Sequence, residues 1–158
     1  MIFVTVGSQK FQFNRLLQYI DELIEDGTIT TEVFAQTGYS EYIPKNFKYT
    51  KFLMQEEFKE IMEKATIVIT HGGTGAIITA LKNNKKVIAI PRLSKFGEHV
   101  DDHQLEIVNI FSKENYILEA TDSTHLKKNF NLIRQIKLSK FISNNEKFLL
   151  GLLMLLEE

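Results

Sequence analysis

The sequence contains no cysteine, which excludes a disulfide framework and thiol catalysis and fits a reducing compartment. It has no run near the roughly 20 apolar residues that a membrane-spanning helix needs. The apolar stretch at residues 2–6 is too short and too close to the start to belong to a signal peptide. We therefore expect a cytosolic chain that can still touch a membrane. The formal net charge is only −1, so no general positive field attracts nucleic acid, and we expect no nucleic-acid partner.

The chain does have enough apolar material for one folded unit. With 158 residues and 44% hydrophobic content, it can form a single α/β domain over residues 1–158 but not two. Short β-branched segments alternate with segments of helical periodicity, which predicts a doubly wound parallel sheet of the Rossmann-like type. Predicted strands cover residues 2–6, 32–36, 49–53, 66–69, 86–90 and 116–118, and predicted helices cover about 13–24, 55–64, 74–83 and 99–112, with a further helix after residue 123 and an apolar helix at about 143–157.

Three short signals mark the ends of these elements. Gly27 should stop the first helix. Asn83-Asn84 should form a left-handed turn before the fifth strand. Thr121-Asp122-Ser123 is a natural cap for the helix that follows it.

A run of glycines lies where the fourth predicted strand turns into a helix. It reads Thr70-His71-Gly72-Gly73-Thr74-Gly75-Ala76. Glycine lets a ligand approach the backbone closely, and the free N–H groups of a helix N-terminus favour an anion. This pattern predicts a phosphate site, with His71 as a cationic or hydrogen-bonding group. Alternatively, His71 only bonds a neighbouring loop.

Two more polar segments follow the ends of neighbouring predicted strands. Gly7-Ser8 comes directly after the first strand, and residues 97–104 come after the fifth. Because parallel strands present their carboxyl ends at one edge, where open α/β sheets bind ligands, the segments should converge on one crevice. Gly7-Ser8 by itself could equally be a tight turn that serves geometry alone.

The third segment also raises the question of a metal site. His99 and His103 stand four residues apart with two aspartates between them, so one helix face could present both as ligands. No glutamate follows His99 in the zincin position and no third ligand is apparent. We therefore predict no metal and no other cofactor. Arg92 and Lys95, in the preceding loop, could reach a phosphate or remain solvated.

The three segments in this order resemble the carboxyl-terminal, donor-binding half of GT-B glycosyltransferases. The group that they resemble is glycosyltransferase family 28, which includes the lipid-linked peptidoglycan N-acetylglucosaminyltransferase and the Alg13 subunit of the dolichol-linked N-acetylglucosaminyltransferase. The chain also looks like the short PssE-type proteins of bacterial capsule and exopolysaccharide synthesis. The resemblance covers about residues 1–120 and implies a single half of a GT-B fold.

In such domains the histidine-glycine turn lies against the diphosphate of a UDP-sugar. The resemblance therefore implies that His71 is catalytic and stabilises charge on the UDP leaving group, and that backbone near Leu53 holds the uracil. Thr79 stands where relatives often carry an acidic residue that grips the ribose, so it departs from the pattern. Asp102, His103 and Gln104 occupy the segment that meets the sugar hydroxyls in relatives. The implied donor-binding residues are Gly7, Ser8, Leu53, His71, Gly72, Gly73, Thr74, Gly75, Thr79, Asp102, His103 and Gln104.

The last predicted helix is apolar around most of its circumference. From Phe148 to Leu156 only Gly151 interrupts large apolar side chains, which is more than one face of a small domain needs. Such a surface marks a partner or a membrane, although a helix crossing back over the core would also explain it. In resembling systems the acceptor half is a separate membrane-anchored protein of the Alg14 or PssD type, and this chain begins at the donor half's first strand. The resemblance thus implies a heteromer, peripheral at the cytoplasmic inner face of the cell membrane through its partner, with the last helix at the interface.

The function implied by the resemblance is that of a UDP-sugar-dependent glycosyltransferase subunit, nearly inactive without its partner. It would transfer a hexose, galactose first and N-acetylglucosamine next, to a polyprenyl-diphosphate-linked saccharide in polysaccharide biosynthesis. One alternative is a non-catalytic enhancer that keeps the fold, which the Thr79 departure motivates. Another is a dinucleotide-dependent oxidoreductase. The glycine-rich fingerprint of dinucleotide-binding domains lies in the turn after the first strand, and an acidic residue ends the second strand. This chain has Gly7-Ser8 and Gln36-Thr37 at those two places.

Overall fold

The computed structural model describes residues 1–142 and 146–156. Within them, six parallel strands form one sheet in the order β3-β2-β1-β4-β5-β6, so the predicted doubly wound, Rossmann-like architecture is confirmed. The strands are β1 (Ile2–Thr5), β2 (Val33–Gln36), β3 (Lys48–Thr50), β4 (Ile67–His71), β5 (Lys86–Ile90) and β6 (Leu118–Glu119). The helices are α1 (Asn14–Glu25), α2 (Gln55–Lys64), α3 (Thr74–Lys82), α4 (His103–Lys113), α5 (Ser123–Ile133) and α6 (Glu146–Leu156).

The central strands are buried on both faces, as parallel strands covered by helices must be. Successive side chains alternate between the faces. Val4 therefore packs into a core with residues of α1 and α5. Phe3, its neighbour on β1, packs into a second core with residues of α3, α4 and α6.

The order of the strands changes direction at β1. Thr5, the last residue of β1, pairs with Gln36 of β2 on one side and with Thr70 of β4 on the other. The segments that follow β1 and β4 therefore lie next to each other at the carboxyl edge of the sheet. This is the topological switch point, at which α/β sheets bind their ligands.

Three local predictions are confirmed. Asn84, after α3, has a left-handed φ of 59°, and Gly27, after α1, has a φ of 81°. Asp122 precedes α5, and its carboxylate accepts a hydrogen bond from the backbone N–H of His125 (2.8 Å). It is therefore a side-chain N-cap, as the sequence indicates.

The prediction that a helix begins near residue 99 was wrong. The helix α4 begins at His103, whose backbone N–H donates to the carboxylate of Asp101 (3.1 Å). The carboxylate of Asp102 accepts from the backbone N–H of Ser94 (2.8 Å). These two bonds hold residues 99–102 as a loop, since short carboxylate side chains compete for backbone donors at helix starts.

The last strand lies slightly later than predicted. Tyr116 is not in β6, because its backbone N–H donates to the carbonyl of Phe111 at the end of α4 (3.1 Å). Strand pairing starts only at Leu118, which lies opposite Ile88 of β5. The prediction of a last strand was thus confirmed in position to within two residues.

The helix α6 covers part of the second core. Phe148 and Leu152 are 6% and 3% exposed. Phe148 packs edge-on against Phe111 of α4, with ring centroids 4.9 Å apart. Tyr116 and Phe141 complete the aromatic cluster around it. One side of α6 thus crosses the core, as one of the two interpretations of this helix expected.

The opposite side of α6 is uncovered. Leu150, Leu153 and Met154 are 60%, 54% and 64% exposed. The predicted bounds of this helix included residues 143–145 and 157, which lie outside the described residues. No helix in the described part of the chain is long and apolar enough to cross a bilayer.

Candidate functional site

A crevice of about 630 Å³ opens at the carboxyl edge of the sheet, between the segments that follow β1, β3 and β4. Most of the predicted donor-binding residues line it: Gly7, Ser8, Leu53, His71, Gly73, Thr74, Gly75 and Thr79. The sequence did not single out its other lining residues, which are Thr5, Gln9, Gln36, Gln55, Phe58 and Ala76. The turns after β1 and β4 thus meet at one crevice as expected, whereas no residue of the third segment, 97–104, lines it.

The N-terminus of α3 forms one wall of this crevice. Gly73 is its N-cap and offers no side chain to the first turn. The N–H groups of that turn have no acceptor within the helix. The hydroxyl of Thr74 is buried and has no hydrogen-bond partner in the free protein. Together these donors, and the positive end of the helix dipole, form a site suited to an anion such as phosphate.

Glycine is required at two positions because the imidazole of His71 lies between the two turns. Gly7 has a φ of +78°, and a Cβ atom there would lie 2.5 Å from Nε2 of His71. A Cβ atom on Gly73 would overlap Cε1 of the same ring. Gly75 differs, because a Cβ atom there would meet no atom within 4 Å.

The imidazole of His71 is neutral in the free protein. His71 is the last residue of β4 and is only 6% exposed. Burial, helped by the positive charge of Arg92, lowers its pKa from 6.5 to about 3. Of the two forms expected from the sequence, the free protein therefore holds the hydrogen-bonding one and not the cation.

Gln104 lies beneath the glycine turn and does not line the crevice. It is 4% exposed, and its amide oxygen accepts hydrogen bonds from the backbone N–H groups of Gly72 and Arg92, both at 3.0 Å. Its amide nitrogen lies 3.4 Å from Nδ1 of His71. The free chain thus engages the polar atoms of Gln104 internally, and sequence reasoning about sugar hydroxyls did not anticipate this.

Asp102 and His103 also lie away from the crevice lining in the free chain. The carboxylate of Asp102 is exposed. It accepts a hydrogen bond from the backbone N–H of Ser94, and this bond holds the pKa of Asp102 below the usual 3.8. His103 is partly buried at the start of α4. Their predicted contacts with the sugar remain predictions.

Thr79 lines the crevice, one helical turn after Gly75. Its hydroxyl donates a hydrogen bond to the backbone carbonyl of Gly75 (2.8 Å). The hydroxyl proton is therefore engaged within α3, and only oxygen lone pairs remain to face a ribose. The predicted contact between Thr79 and a ribose remains a prediction.

The two histidines considered as metal ligands do not share a helix. His99 lies in the loop before α4, where its ring stacks on Phe11 with centroids 5.5 Å apart and pairs with Asp101 (3.1 Å). Only His103 belongs to α4. Within residues 1–142 and 146–156, no group of three potential ligands is placed to hold a metal ion.

Arg92 is the residue whose importance sequence reasoning missed. It is 0% exposed, and its guanidinium donates hydrogen bonds to backbone carbonyls of the loop after β1 and of Glu98. Burial lowers its pKa to about 10, so the side chain is still charged near neutral pH. The carbonyl acceptors are those of Val6, Phe11, Gln12 and Glu98. Arg92 therefore holds together the loops behind the crevice and does not line it. Lys95 is exposed and lies over the ring of Phe96.

Comparison with known proteins agrees with this geometry. A family model described as the glycosyltransferase family 28 C-terminal domain matches residues 1–150. A protein of Candida albicans named UDP-N-acetylglucosamine transferase subunit ALG13 is 36% identical over 67 residues, which are 42% of this chain and 22% of that protein. The human protein of the same name is 24% identical over 139 residues, 76% of this chain but 11% of that protein. The chain thus spans a quarter or less of the length of these relatives.

Solved structures show the same fold. The solution structure of ALG13 has a TM-score of 0.61 at 22% identity, with 93% of this chain and 92% of that chain covered. The crystal structure of Acinetobacter baumannii MurG has a TM-score of 0.55 at 15% identity, with 83% of this chain and 39% of that chain covered. This chain is therefore similar in fold to one part of a larger glycosyltransferase.

Proposed function

Because the chain belongs to glycosyltransferase family 28, as a domain of the C-terminal type, we propose that it is the donor-binding, catalytic subunit of a two-component glycosyltransferase. The observation that supports this most directly is the wall formed by the N-terminus of α3. There, the backbone N–H groups of the first turn have no acceptor within the helix, the buried hydroxyl of Thr74 has no partner, and His71, Gly73, Thr74 and Gly75 line one crevice. These donors suit the diphosphate of a UDP-sugar.

The proposed reaction is an inverting displacement. An acceptor hydroxyl attacks the anomeric carbon, the bond between that carbon and the diphosphate oxygen breaks, and its electron pair leaves with UDP. The hydroxyl proton passes to a base on the acceptor-binding partner. The donors of the α3 N-terminus and His71 stabilise the negative charge that develops on UDP, without a metal ion.

The proposal also covers the identity of the transferred sugar and of its acceptor. The names of the curated relatives favour N-acetylglucosamine, while the capsule-type resemblance of the sequence favours galactose. We propose that one of these two is transferred to a polyprenyl-diphosphate-linked saccharide in polysaccharide biosynthesis. Measured affinity for the two UDP-sugars decides between them.

Donor binding is tested with the substitution Gly75→Ala. A methyl group at Gly75 meets no protein atom, so the fold should be retained, but it occupies space that a phosphate needs to approach the backbone. We expect the affinity for UDP to fall at least about tenfold, or about 1.4 kcal/mol. Gly151→Ala is the matched control, because Gly151 is also helical and open but belongs to α6.

The measurement is calorimetry with UDP, UDP-galactose, UDP-N-acetylglucosamine and NADH on the wild-type chain and both variants. Binding of UDP and one UDP-sugar, weakened only by Gly75→Ala, supports the proposal. Equal affinity in all three proteins would place the nucleotide elsewhere. Binding of NADH alone would favour the oxidoreductase alternative.

We further propose that the exposed side of α6 contacts a membrane-anchored, Alg14-like acceptor subunit, which would hold the chain at the cytoplasmic face of the membrane. The word subunit in the relatives' names supports the need for a partner. The exposed apolar residues of α6 lie opposite its buried side, and apolar side chains on one helix face suit a protein interface.

This interface is tested with Leu153→Asp. Leu153 is 54% exposed, so a carboxylate there should leave the fold intact but should be desolvated at a bound partner. We expect co-purification with the coexpressed partner to fall at least tenfold. Leu132→Asp, at a 38% exposed leucine of α5, is the control. An equal loss in both variants, or in neither, contradicts the assignment of α6.

The alternative of a non-catalytic enhancer remains, because of Thr79. In that case the chain would bind its partner through α6 but would not need its crevice. A reconstituted complex that retains full transfer activity with Gly75→Ala would favour the enhancer, provided that UDP binding by the chain is lost.

A further inference from the structure

The orientation of the Gln104 side-chain amide is determined by its surroundings. The atom that faces the backbone N–H groups of Gly72 and Arg92 must be the oxygen, because only the oxygen can accept from two donors. The amide nitrogen then points toward Nδ1 of His71, at 3.4 Å. Since this nitrogen carries only donor hydrogens, Nδ1 must supply a lone pair.

We propose that Gln104 is a positioning residue that holds the neutral imidazole of His71 in the tautomer with its proton on Nε2. The ring then presents an N–H donor on the side where Gly7 approaches it most closely. In the other tautomer Nε2 would present a lone pair there, which repels an anionic oxygen. That the acceptor in the crevice is a diphosphate rests on the proposed function, but the tautomer itself does not.

Packing keeps Gln104 in this place. A Cβ atom on Gly72 would lie 2.9 Å from Cβ of Gln104 and 2.8 Å from Cγ2 of Val108, so α4 lies directly against the turn. The same amide oxygen joins the turn after β4 to Arg92, just after β5. Two backbone segments thus hold the side-chain amide of Gln104 that donates to Nδ1.

Protonation of His71 does not offer another route to an Nε2 donor near neutral pH. Burial holds the pKa of the imidazole near 3, so the second proton is absent. Whether a donor faces the crevice then depends on the tautomer alone. A hydrogen bond from the amide of Gln104 to Nδ1 selects the productive tautomer.

The direct test is the ¹⁵N NMR spectrum of the histidine rings in the full chain without nucleotide. We expect His71 to carry its proton on Nε2 from pH 5 to pH 8. Protonation on Nδ1, or a rapid mixture of the two tautomers, would overturn the proposal. This measurement on the wild-type chain does not depend on any variant folding or on UDP binding.

The substitution Gln104→Glu makes a second test, because a carboxylate can still accept from Gly72 and Arg92 but offers Nδ1 an acceptor in place of a donor. We expect the proton of His71 to appear on Nδ1, while the ring signals of His125 stay unchanged. The affinity for UDP should fall at least tenfold. Gln135→Glu, at an exposed glutamine, is the matched control for charge.

The outcomes separate the two proposals. A folded Gln104→Glu chain in which Nδ1 of His71 still carries no proton would show that Gln104 is merely structural and would overturn the inference. If the tautomer changes as expected but the wild-type chain binds no UDP-sugar, the role of Gln104 stands and the proposed function fails.

Discussion

The substitution Arg92→Leu is expected to lower the free energy of unfolding by about 3–5 kcal/mol. The guanidinium of Arg92 is fully buried and donates to backbone carbonyls of the loop after β1, among them those of Phe11 and Gln12, and to the carbonyl of Glu98. Leucine fills much of the volume but leaves these buried carbonyls without donors, which is among the most destabilising changes in proteins. For a chain of this length the melting temperature should fall by about 6–20 °C.

The measurement is thermal and urea unfolding of the wild type, Arg92→Leu and Lys95→Leu. Lys95 lies three residues away in the same loop but is exposed, so Lys95→Leu should change the unfolding free energy by less than about 0.5 kcal/mol. Arg92→Lys should be intermediate, because an ammonium keeps the charge but cannot reach acceptors on both sides. Equal stability of Arg92→Leu and Lys95→Leu would contradict this role of Arg92.

The sheet could be predicted because its signals are local. The strand β4 and the turn after it are adjacent in sequence, so the glycines alone predict an anion site at the N-terminus of α3. The alternation of strands and helices likewise predicts a parallel sheet whose strands end at one edge, although the order of the strands was not predicted. Gly7 and His71, far apart in sequence, could therefore be assigned to one crevice.

The positions of Gln104 and Arg92 could not be predicted, because each is decided by contacts between distant segments. Gln104 bonds Gly72 over 32 positions of sequence, and Arg92 reaches back to the loop after β1 over 80 or more. A glutamine or arginine in a polar segment is usually solvated. Nothing in its local pattern distinguishes a buried side chain that satisfies backbone groups from one that faces a ligand.

The start of α4 was missed for a related reason. Residues 99–102 have helix-compatible spacing, but Asp101 and Asp102 use their carboxylates on the backbone N–H groups of His103 and Ser94. Such bonds compete with helix formation. As a result, His99 and His103 do not lie on one helix face. The metal site considered from the sequence required that arrangement of the two histidines.

The substitution His71→Ala is expected to lower the turnover of the reconstituted transferase by about 10²–10³-fold, the effect of removing one donor from a preorganised anion site. Because the pKa of His71 is held near 3, its ring stays neutral across the pH range of an assay. His71 of the free protein should therefore add no inflection to kcat/KM between pH 5 and pH 9. His125→Ala, at a histidine of α5 that does not line the crevice, is the control.

The same group makes the stability of the chain depend on pH in a definite direction. The pKa of His71 is near 3 in the folded protein and 6.5 when unperturbed, so between these values the unfolded chain binds a proton that the folded chain does not. Stability therefore falls as the pH drops below about 6.5, with a slope of up to about 1.4 kcal/mol per pH unit from this group. Urea unfolding from pH 7 to pH 4 should show a shallower slope for His71→Ala than for the wild type or His125→Ala. Identical slopes would mean that His71 is not buried as a neutral ring, and its role as a neutral donor to UDP would have to be abandoned.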